Sequence, residues 1–450
     1  MTAIAQYDGD SVPTLITDVA VFESAAGTVD GPFDVYLNDG KITAVRAAGD
    51  MDWRARTVLL DDAVLVDGGG RTLLPGLIDV HVHLGSMVAV PGKLRIPDPF
   101  DNAAAFAYCG VTTVVDLATP MAEIARLRRR IDSGRAVGPS IYATGKPFSA
   151  PGGHPESSVE RMFPSAIGRF AARHMTNRVA TAEDVDEALT TEPVGDAIKV
   201  MFDSIPPGSP EISDEALERL TFAASALGKP VFAHVGRSED VDRALAHGVS
   251  ALMHLPYAAV LSPAQQAQLV ALFIPAAPTL AVWDAVGGLA SGHVYPTDLG
   301  REVLTPRQER DLADPLAHAP LDDEMGAWAK DVAAHRSVRL AGAKSFADAG
   351  GRVLVGSDTP FLSEPAGAGL HHELDLLQEA GLTPGEVLRA ATWGNRTFLD
   401  PQGKFGAIVE GWQADLLMVE GNPVVDPEAM HAVVDVWIDG RRVVRRPGGR

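Results

Sequence analysis

Cysteine is nearly absent from this chain, because Cys109 is the only one among 450 residues. A single thiol excludes a disulfide framework within one chain, and it excludes a zinc site built from cysteines. Uninterrupted apolar stretches of about 18 residues, the length that spans a membrane, are also missing. The first residues, MTAIAQYDGDSVP, have neither the basic start nor the apolar run of a secretory signal. We therefore expect a soluble cytoplasmic protein with no membrane partner.

Basic residues are in the minority. The chain has 38 lysines and arginines against 59 aspartates and glutamates, a formal net charge of −21. Such an acidic surface is repelled by phosphate backbones and anionic lipids, so we do not expect nucleic acid or membrane as partners. The hydrophobic fraction of 46% is ordinary for a globular protein with a large core. We expect a small-molecule substrate, and the sequence leaves a homo-oligomer open.

The two ends of the chain both contain short alternating runs separated by turns. Examples are FDVYLNDGKITAVRA near the start and VVDVWIDGRRVV near the end. Asn-Asp-Gly and Asp-Gly turns between alternating runs favour β-hairpins. We therefore predict that residues 1–72 and 404–450 fold together into one small β-sandwich domain.

Residues 73–403 alternate short apolar runs with stretches of helical spacing, which predicts a parallel sheet covered by helices. Eight runs are predicted strands, and they are 75–83, 111–117, 139–145, 196–202, 229–235, 250–255, 274–282 and 352–358. Eight strands close a (β/α)8 TIM barrel, so the predicted fold class is α/β with a TIM barrel and a β-sandwich domain. Residues 283–345 form an insertion after the seventh strand, either a lid over the barrel mouth or an ordinary surface elaboration.

Polar side chains recur at the ends of these predicted strands. The stretch LLPGLIDVHVHLG places two histidines on alternate positions, so both imidazoles lie on one side of a strand. A barrel would gather six such side chains near one end of its axis: His81, His83, Lys199, His234, His254 and Asp358. Imidazole and carboxylate groups are suitable ligands for zinc and its neighbours. Taken singly, a histidine at a strand end is more often a satisfied core residue.

Lys199 is unusual because Ile198 and Val200 flank it in a predicted buried strand. An ammonium group there would lose its solvation and would repel a metal ion. Carboxylation of the amine by CO2 would remove both problems, since a carbamate is an anion whose two oxygens can bridge two metals. The alternative is an ammonium paired with a carboxylate beside a single metal.

These motifs together resemble those of the amidohydrolase superfamily, metal-dependent hydrolases built on a (β/α)8 barrel with a flanking β-sandwich. PGLIDVHVHLG is similar to the first-strand signature, and AIKVM, FAHV, LMHL and VGSDT are similar to those of the fourth, fifth, sixth and eighth strands. The resemblance covers nearly the whole chain. The lysine, APTLAV and HHELDLLQEAGLTPGEVLRAAT resemble the imidazolonepropionase-like and Xaa-Pro dipeptidase-like branch.

The resemblance implies a binuclear centre of two divalent metals, zinc by default with manganese or cobalt as alternatives. It assigns the six side chains as follows: His81, His83 and Asp358 to the first metal, His234 and His254 to the second, and Lys199, as N6-carboxylysine, to a bridge shared with a hydroxide. Asp358 would also act as the catalytic base that carries a proton to the leaving nitrogen. The implied reaction is hydrolysis of a C–N bond in an amide, dipeptide, lactam or carbamate.

Loops that follow the strands supply candidate substrate contacts. His154 in SAPGGHPES and Tyr257 in MHLPYAAV are candidate catalytic donors to an oxyanion, and either could equally be structural. His372, after the eighth strand, is a candidate substrate-binding residue. Three cations are weaker candidates for a substrate carboxylate: Arg237, Lys93 and Arg95.

Two other interpretations stay open. One is a deaminase or other non-peptide amidohydrolase of the same fold; deaminases usually bind one metal, whereas Lys199 and His254 favour two. A non-catalytic relative that works through protein contacts typically loses ligands, whereas this chain keeps all six. The shape of the pocket depends on loops, so the sequence leaves the substrate itself open.

Overall fold

The computed structural model describes residues 4–86, 97–291, 297–314, 324–361 and 363–447. Its strands in the first half are β1 (Ala5–Tyr7), β2 (Thr14–Glu23), β3 (Thr28–Asn38), β4 (Lys41–Ala47), β5 (Val64–Asp67), β6 (Thr72–Pro75), β7 (Leu77–Val82), β8 (Val111–Asp116), β9 (Ser140–Ala143), β10 (Phe148–Ser149) and β11 (Asn177–Arg178). The later strands are β12 (Ile198–Met201), β13 (Val231–His234), β14 (Ala251–Met253), β15 (Ala276–Ala277), β16 (Leu416–Val419), β17 (Val433–Ile438) and β18 (Arg441–Arg445).

The helices lie mostly between the strands of the central region. Those before residue 250 are α1 (Met51–Asp61), α2 (Pro99–Tyr108), α3 (Met121–Asp132), α4 (Glu156–Met162), α5 (Ala166–His174), α6 (Ala182–Thr191), α7 (Asp214–Ala226) and α8 (Ser238–Ala246). Those after it are α9 (Pro263–Ala271), α10 (Leu280–Ser291), α11 (Asp298–Val303), α12 (Pro306–Leu312), α13 (Glu324–Ala334), α14 (Arg336–Asp348), α15 (Ala368–Glu379), α16 (Pro384–Arg389) and α17 (Asn395–Leu399). A π-helical turn spans Ala390–Gly394 and a 3-10 helix spans Pro427–His431. No described helix has the length and apolar character needed to cross a bilayer.

Strands from both ends of the chain form one nine-stranded mixed sheet. Its order is β1-β18-β17-β16-β6-β2-β3-β4, with β5 paired to β2 beside this path. The turn at Gly40 lies against the turn at Asp439, whose Oδ1 is 2.6 Å from the point where a Cβ on Gly40 would stand. The β-sandwich and the domain boundaries at 1–72, 73–403 and 404–450 stay predictions.

The central region forms two parallel sheets, which confirms the predicted α/β class. One has the order β11-β10-β12-β13-β14-β15 and the other β7-β8-β9. Buried side chains from both sheets meet in one core, and they include Ile78, Val80, Val115, Phe232 and Met253. Both sheets therefore contribute side chains to one common core. Among the described residues the strand ladder does not close, so the closed TIM barrel stays a prediction.

The predicted eighth strand, 352–358, is not a strand in the structure. The segment makes only single parallel bridges, Val353 to Ala276 on one side and Thr359 to Val82 on the other. The physical reason is that side chains take backbone groups that a ladder would use. Asn395 Oδ1 accepts the N–H of residue 355 at 3.1 Å, and Asp79 Oδ1 accepts that of residue 357 at 3.0 Å.

The predicted seventh strand, 274–282, is much shorter in the structure. Only Ala276–Ala277 pair as a strand, and α10 begins at Leu280. Between them Thr279 has a φ of 51°, which turns the chain from strand into helix. Glu373 Oε2 accepts the N–H of Ala281 at 2.8 Å and satisfies a free donor at the helix start. A short apolar run such as TLAV does not distinguish a buried strand from a buried helix.

Candidate metal centre

Three of the predicted ligands converge between β7 and the bridging segment. His81 and His83 lie at the end of β7, and the backbone N–H of Asp358 donates to the carbonyl of His81 at 2.7 Å. Asp358 Oδ1 is therefore 2.6 Å from His83 Nε2 and 3.4 Å from His81 Nε2. One ligand atom from each residue lies within 4.8 Å of the other two, which makes a compact candidate metal site.

A second pair of histidines comes from neighbouring strands and lies beside the first group. His234 is the last residue of β13, and His254 directly follows β14. His234 Nδ1 is 2.8 Å from His254 Nε2, and His254 Nε2 is 3.7 Å from Asp358 Oδ2. The two carboxylate oxygens of Asp358 thus face one histidine group each, so this aspartate lies between the two halves of the cluster.

The outer nitrogens of this pair are held by other side chains. His234 Nε2 is 2.9 Å from Asp203 Oδ2, and His254 Nδ1 bonds the hydroxyl of Thr279. That hydroxyl lies 2.7 Å from the carbonyl of Pro278, which accepts its single proton. We assign the imidazole protons from these partners: each histidine has its proton on the outer nitrogen.

The two inner nitrogens, 2.8 Å apart, therefore both present lone pairs. Burial, joined by the charge of Lys199, lowers the pKa of His234 to about 3, and burial holds the pKa of His254 well below its usual range. Both imidazoles are thus neutral, the form that binds metals. Two lone pairs at this distance repel each other, and a divalent metal bound by both nitrogens would remove that repulsion, so the donor set fits such a metal.

Lys199 is buried next to these groups, at 2% exposure on β12. Its Nζ has no hydrogen-bond partner among the described residues. Burial lowers the pKa of Lys199 to about 7, although Asp358 and Asp203 act in the opposite direction. An amine that lacks both solvent and a partner is a strong sign that another chemical group belongs there.

Strained backbone accompanies the cluster. His254 has a φ of 118° and Asp358 a φ of 60°, and both values lie in the region that favours glycine. Such conformations cost about 1–3 kcal/mol each and occur preferentially at functional sites. The strain therefore indicates that the position of these two side chains matters more than local stability.

The predicted substrate contacts lie at different distances from the cluster. The ring of His154 is 4.9 Å from that of His234, and burial lowers the pKa of His154 to about 3. Its Nδ1 is 3.0 Å from Ser158 Oγ, whose proton goes to the Pro155 carbonyl at 3.0 Å. The Nε2 of His154 therefore carries a lone pair in this tautomer, and a donor role would need a proton there.

Tyr257 reaches the cluster only through another aromatic ring. Its hydroxyl donates to Asp331 Oδ2 at 3.0 Å, and its ring is 5.4 Å from that of Trp283. Trp283 in turn is 5.4 Å from the ring of His254. Since Trp283 and Asp331 belong to α10 and α13, the described part of the insertion packs against the end of the strands that carries the ligands. Whether it acts as a lid stays a prediction.

The remaining candidates have partners of their own. His372 Nδ1 is 3.0 Å from Glu364 Oε1. Burial opposes its charge, but the bond to Glu364 prevails and raises the pKa of His372 to about 9. Arg237 is paired with Glu211 and with Asp240, at 2.8 and 2.9 Å. Lys93 and Arg95 lie outside the described residues.

Sequence reasoning missed the residues that hold the ligands in place. Asp203 follows Lys199 by four positions and Asp79 precedes His81 by two, so the strand parity that picked out the ligands would also have picked out these carboxylates. Asp79, fully buried, accepts from Ser357 Oγ at 2.5 Å and from the N–H of His81 at 3.1 Å. No pattern in the sequence pointed to Thr279, whose hydroxyl bonds His254.

Parallel strands whose ends gather histidines and an aspartate, joined to a separate mixed sheet, define a class of α/β enzymes with a metal site at the strand ends. Comparison with known proteins narrows this class. The model of the Amidohydrolase family matches residues 72–443. The chain therefore belongs to the Amidohydrolase family, and the resemblance read from its motifs is confirmed.

Individual proteins that are similar to this chain are also hydrolases. An ochratoxinase of Aspergillus niger is 24% identical over 411 residues, which are 84% of this chain and 76% of the relative. A crystal structure of a Xaa-Pro dipeptidase with bound methionine is 20% identical, with a TM-score of 0.75 over 96% of this chain and 99% of that one. A prolidase complexed with N-methylphosphonate-L-proline is 22% identical, with a TM-score of 0.74 over 97% of this chain and 100% of that one.

These structural likenesses show the fold, which in this family is an α/β fold with a TIM barrel. Family membership and the hydrolase relatives together make the chain an enzyme that acts on C–N bonds. Binding of divalent metal is typical of the family, and the His81–His83–Asp358 group is a candidate site for it.

Proposed function

We propose that this chain is a binuclear metal-dependent amidohydrolase that cleaves a C–N bond of a small-molecule substrate. The observation that carries the proposal is the facing pair of neutral imidazole nitrogens, 2.8 Å apart, next to a three-ligand group that shares Asp358 with it. The names of two structural neighbours, Xaa-Pro dipeptidase and prolidase, support a dipeptide among the possible substrates. We also propose that the two parallel sheets close into a barrel around the shared core.

The six ligands divide into three groups: His81, His83 and Asp358 for one metal, His234 and His254 for the other, and carboxylated Lys199 as a bridge. Bound divalent metals supply an acidified water and polarise a carbonyl, with zinc as the default. A neutral lysine amine is the form that reacts with CO2, and the lowered pKa of Lys199, about 7, favours it.

Asp358 is proposed to hold and move the proton. Its side chain is partly open, at 14% exposure, whereas His81 and His254 beside it are at 1%. A carboxylate with one oxygen on each side of the cluster can take a proton at one position and release it at the other. The leaving nitrogen of the substrate is the expected acceptor.

Three residues are proposed to contact the substrate: His154, Tyr257 and His372. His154 lies nearest to the cluster, and its Nε2 can accept the N–H of a substrate amide. The ion pair with Glu364 keeps the ring of His372 protonated, and an imidazolium is a suitable partner for a substrate carboxylate. The absence of nucleic acid and membrane partners, the cytoplasmic location and a homo-oligomer stay predictions.

The test combines metal analysis with a substrate panel. Purified protein should contain about two divalent metals per chain and should hydrolyse at least one class among Xaa-Pro dipeptides, N-acyl amino acids, lactams and carbamates. Chelation should abolish that activity and added zinc should restore it. Asp358→Asn should stop turnover, while His247→Asn, a histidine on a helix end away from the cluster, should not. Full activity in metal-free protein would contradict the proposal.

A mononuclear deaminase is the second candidate. The observation that favours it is that the His81–His83–Asp358 group is complete as a three-ligand site without the other pair. One metal per chain at full activity, with ammonia released from amino-substituted rings, would select this candidate. Two metals per chain and cleavage of an amide would exclude it.

A further inference from the structure

A buried aspartate lies directly behind the second histidine pair. Asp203, at 3% exposure, places Oδ2 2.9 Å from Nε2 of His234. Its other oxygen, Oδ1, has no hydrogen-bond partner among the described residues. A carboxylate in this position cannot ligate through the atom that already bonds the histidine. Its contact is with the ligand rather than with the metal position.

The backbone fixes Asp203 in this place. β12 runs parallel to β13 with Met201 opposite His234, and the N–H of Phe202 donates to the carbonyl of His234 at 3.1 Å. The chain therefore passes along His234 before it leaves the sheet. Asp203 is the next residue, and its carboxylate meets the edge of the imidazole.

The loop after His234 leaves space for that carboxylate. A Cβ on Gly236 would stand 2.7 Å from Asp203 Oδ2, closer than real Cβ contacts come. Gly236 is itself held, because its N–H donates to Asp240 Oδ2 at 3.1 Å and that of Arg237 donates to the same oxygen at 2.8 Å. A side chain at position 236 would therefore have to displace the carboxylate oxygen that bonds His234.

We propose that Asp203 is a positioning residue for the second metal, an inference that rests on the proposed binuclear function. Its carboxylate accepts the Nε2 proton of His234 and fixes the ring, so that the lone pair of Nδ1 faces His254 Nε2. A carboxylate behind a ligating histidine also increases the basicity of that ligand. Thr279, a neutral acceptor behind His254, does this more weakly.

The contact predicts a selective effect on metal binding. Removal of Asp203 frees the proton of His234 to move to Nδ1, where it blocks the lone pair. The three-ligand group on the other side of Asp358 keeps its own geometry. The second metal should therefore bind about 10- to 100-fold more weakly, and the first should be unaffected.

The experiment titrates metal-free protein with Zn²⁺ against a chelator and counts both binding events. Asp203→Ala should weaken the second binding event about 10- to 100-fold, and Asp203→Asn should fall between Asp203→Ala and the wild type because its amide oxygen still accepts an N–H. Gly236→Ala should reproduce the weakening by displacing the carboxylate. Asp196→Asn, at the entry of the same strand and paired with Arg128 at 2.7 Å, is the matched control and should bind like the wild type.

The outcomes are separable. Two unchanged binding events in Asp203→Asn and Gly236→Ala would overturn the positioning role while leaving the binuclear function intact. Loss of both events in these variants, with a native circular dichroism spectrum, would also overturn it, since the effect would not be selective. Fewer than two events in the wild type would instead refute the proposed function. If Asp203→Ala fails to fold, the other two variants decide.

Discussion

Replacing Lys199 by methionine should make the metal-free protein more stable. The amine is 2% exposed, and its Nζ has no hydrogen-bond partner among the described residues. Methionine has a similar length and no charge, and it leaves no former partner unpaired. The substitution therefore removes the cost of burying an ammonium and introduces no new unsatisfied group.

The size of the effect follows from the pKa. Burial lowers the pKa of Lys199 from 10.5 to about 7, and each pKa unit is worth about 1.4 kcal/mol. The wild type should thus be about 4 kcal/mol less stable than Lys199→Met at neutral pH, as an upper bound. Between about pH 7 and about pH 10 the unfolded state binds the extra proton, so the stability of the wild type rises with pH. The difference between the two proteins should therefore be largest at or below pH 7 and should vanish above the unfolded pKa.

The assay is urea denaturation of chelator-treated protein in buffer free of CO2, at about pH 7 and about pH 10. Lys330→Met, at an exposed position of α13, is the matched control and should change little at either pH. Addition of zinc and bicarbonate should reverse the order, because the wild type, which keeps the proposed bridging lysine, gains more binding energy than the variant. An equal or lower stability of metal-free Lys199→Met, or a difference that does not depend on pH, would refute the reasoning.

Two other substitutions test groups around the site. Asp79→Ala should lower the free energy of unfolding by about 3 kcal/mol, because donors on Ser357 and His81 lose a buried acceptor. Asp79→Asn keeps one acceptor and should show a smaller loss on denaturation. Equal losses in the two variants would contradict this account. Glu364→Gln should lower the free energy of unfolding by about 2 kcal/mol below pH 6.5. The reason is that Glu364 raises the pKa of His372 to about 9, and the ion pair is complete only while the imidazole is charged. That deficit should shrink as pH rises through about 9 in paired denaturation curves, and a deficit constant over this range would show that the charge of His372 is not involved.

Local sequence patterns predicted much of the fold. Buried β-branched runs such as VTTVVD and IKVM predicted strands within a few residues of β8 and β12, because such runs have few other stable states in a buried environment. In the eighth predicted strand, which is absent, and the seventh, which is shortened, backbone N–H groups bond side chains of distant residues. Asn395 and Asp79 serve the segment 352–358, and Glu373 serves the start of α10. Such partners cannot be read from the segment itself.

The sequence by itself determined the family, through the resemblance of its strand-end motifs. It also determined the six candidate ligands, because a period of two along a strand and the ends of parallel strands are local rules. Only the tertiary structure decided which nitrogen of each histidine faces inward. Asp203 and His234 are 31 residues apart, and Thr279 and His254 are 25 apart. Those contacts exist only after neighbouring strands have packed, so the position of a proton, and with it the capacity to bind a metal, depends on the folded chain.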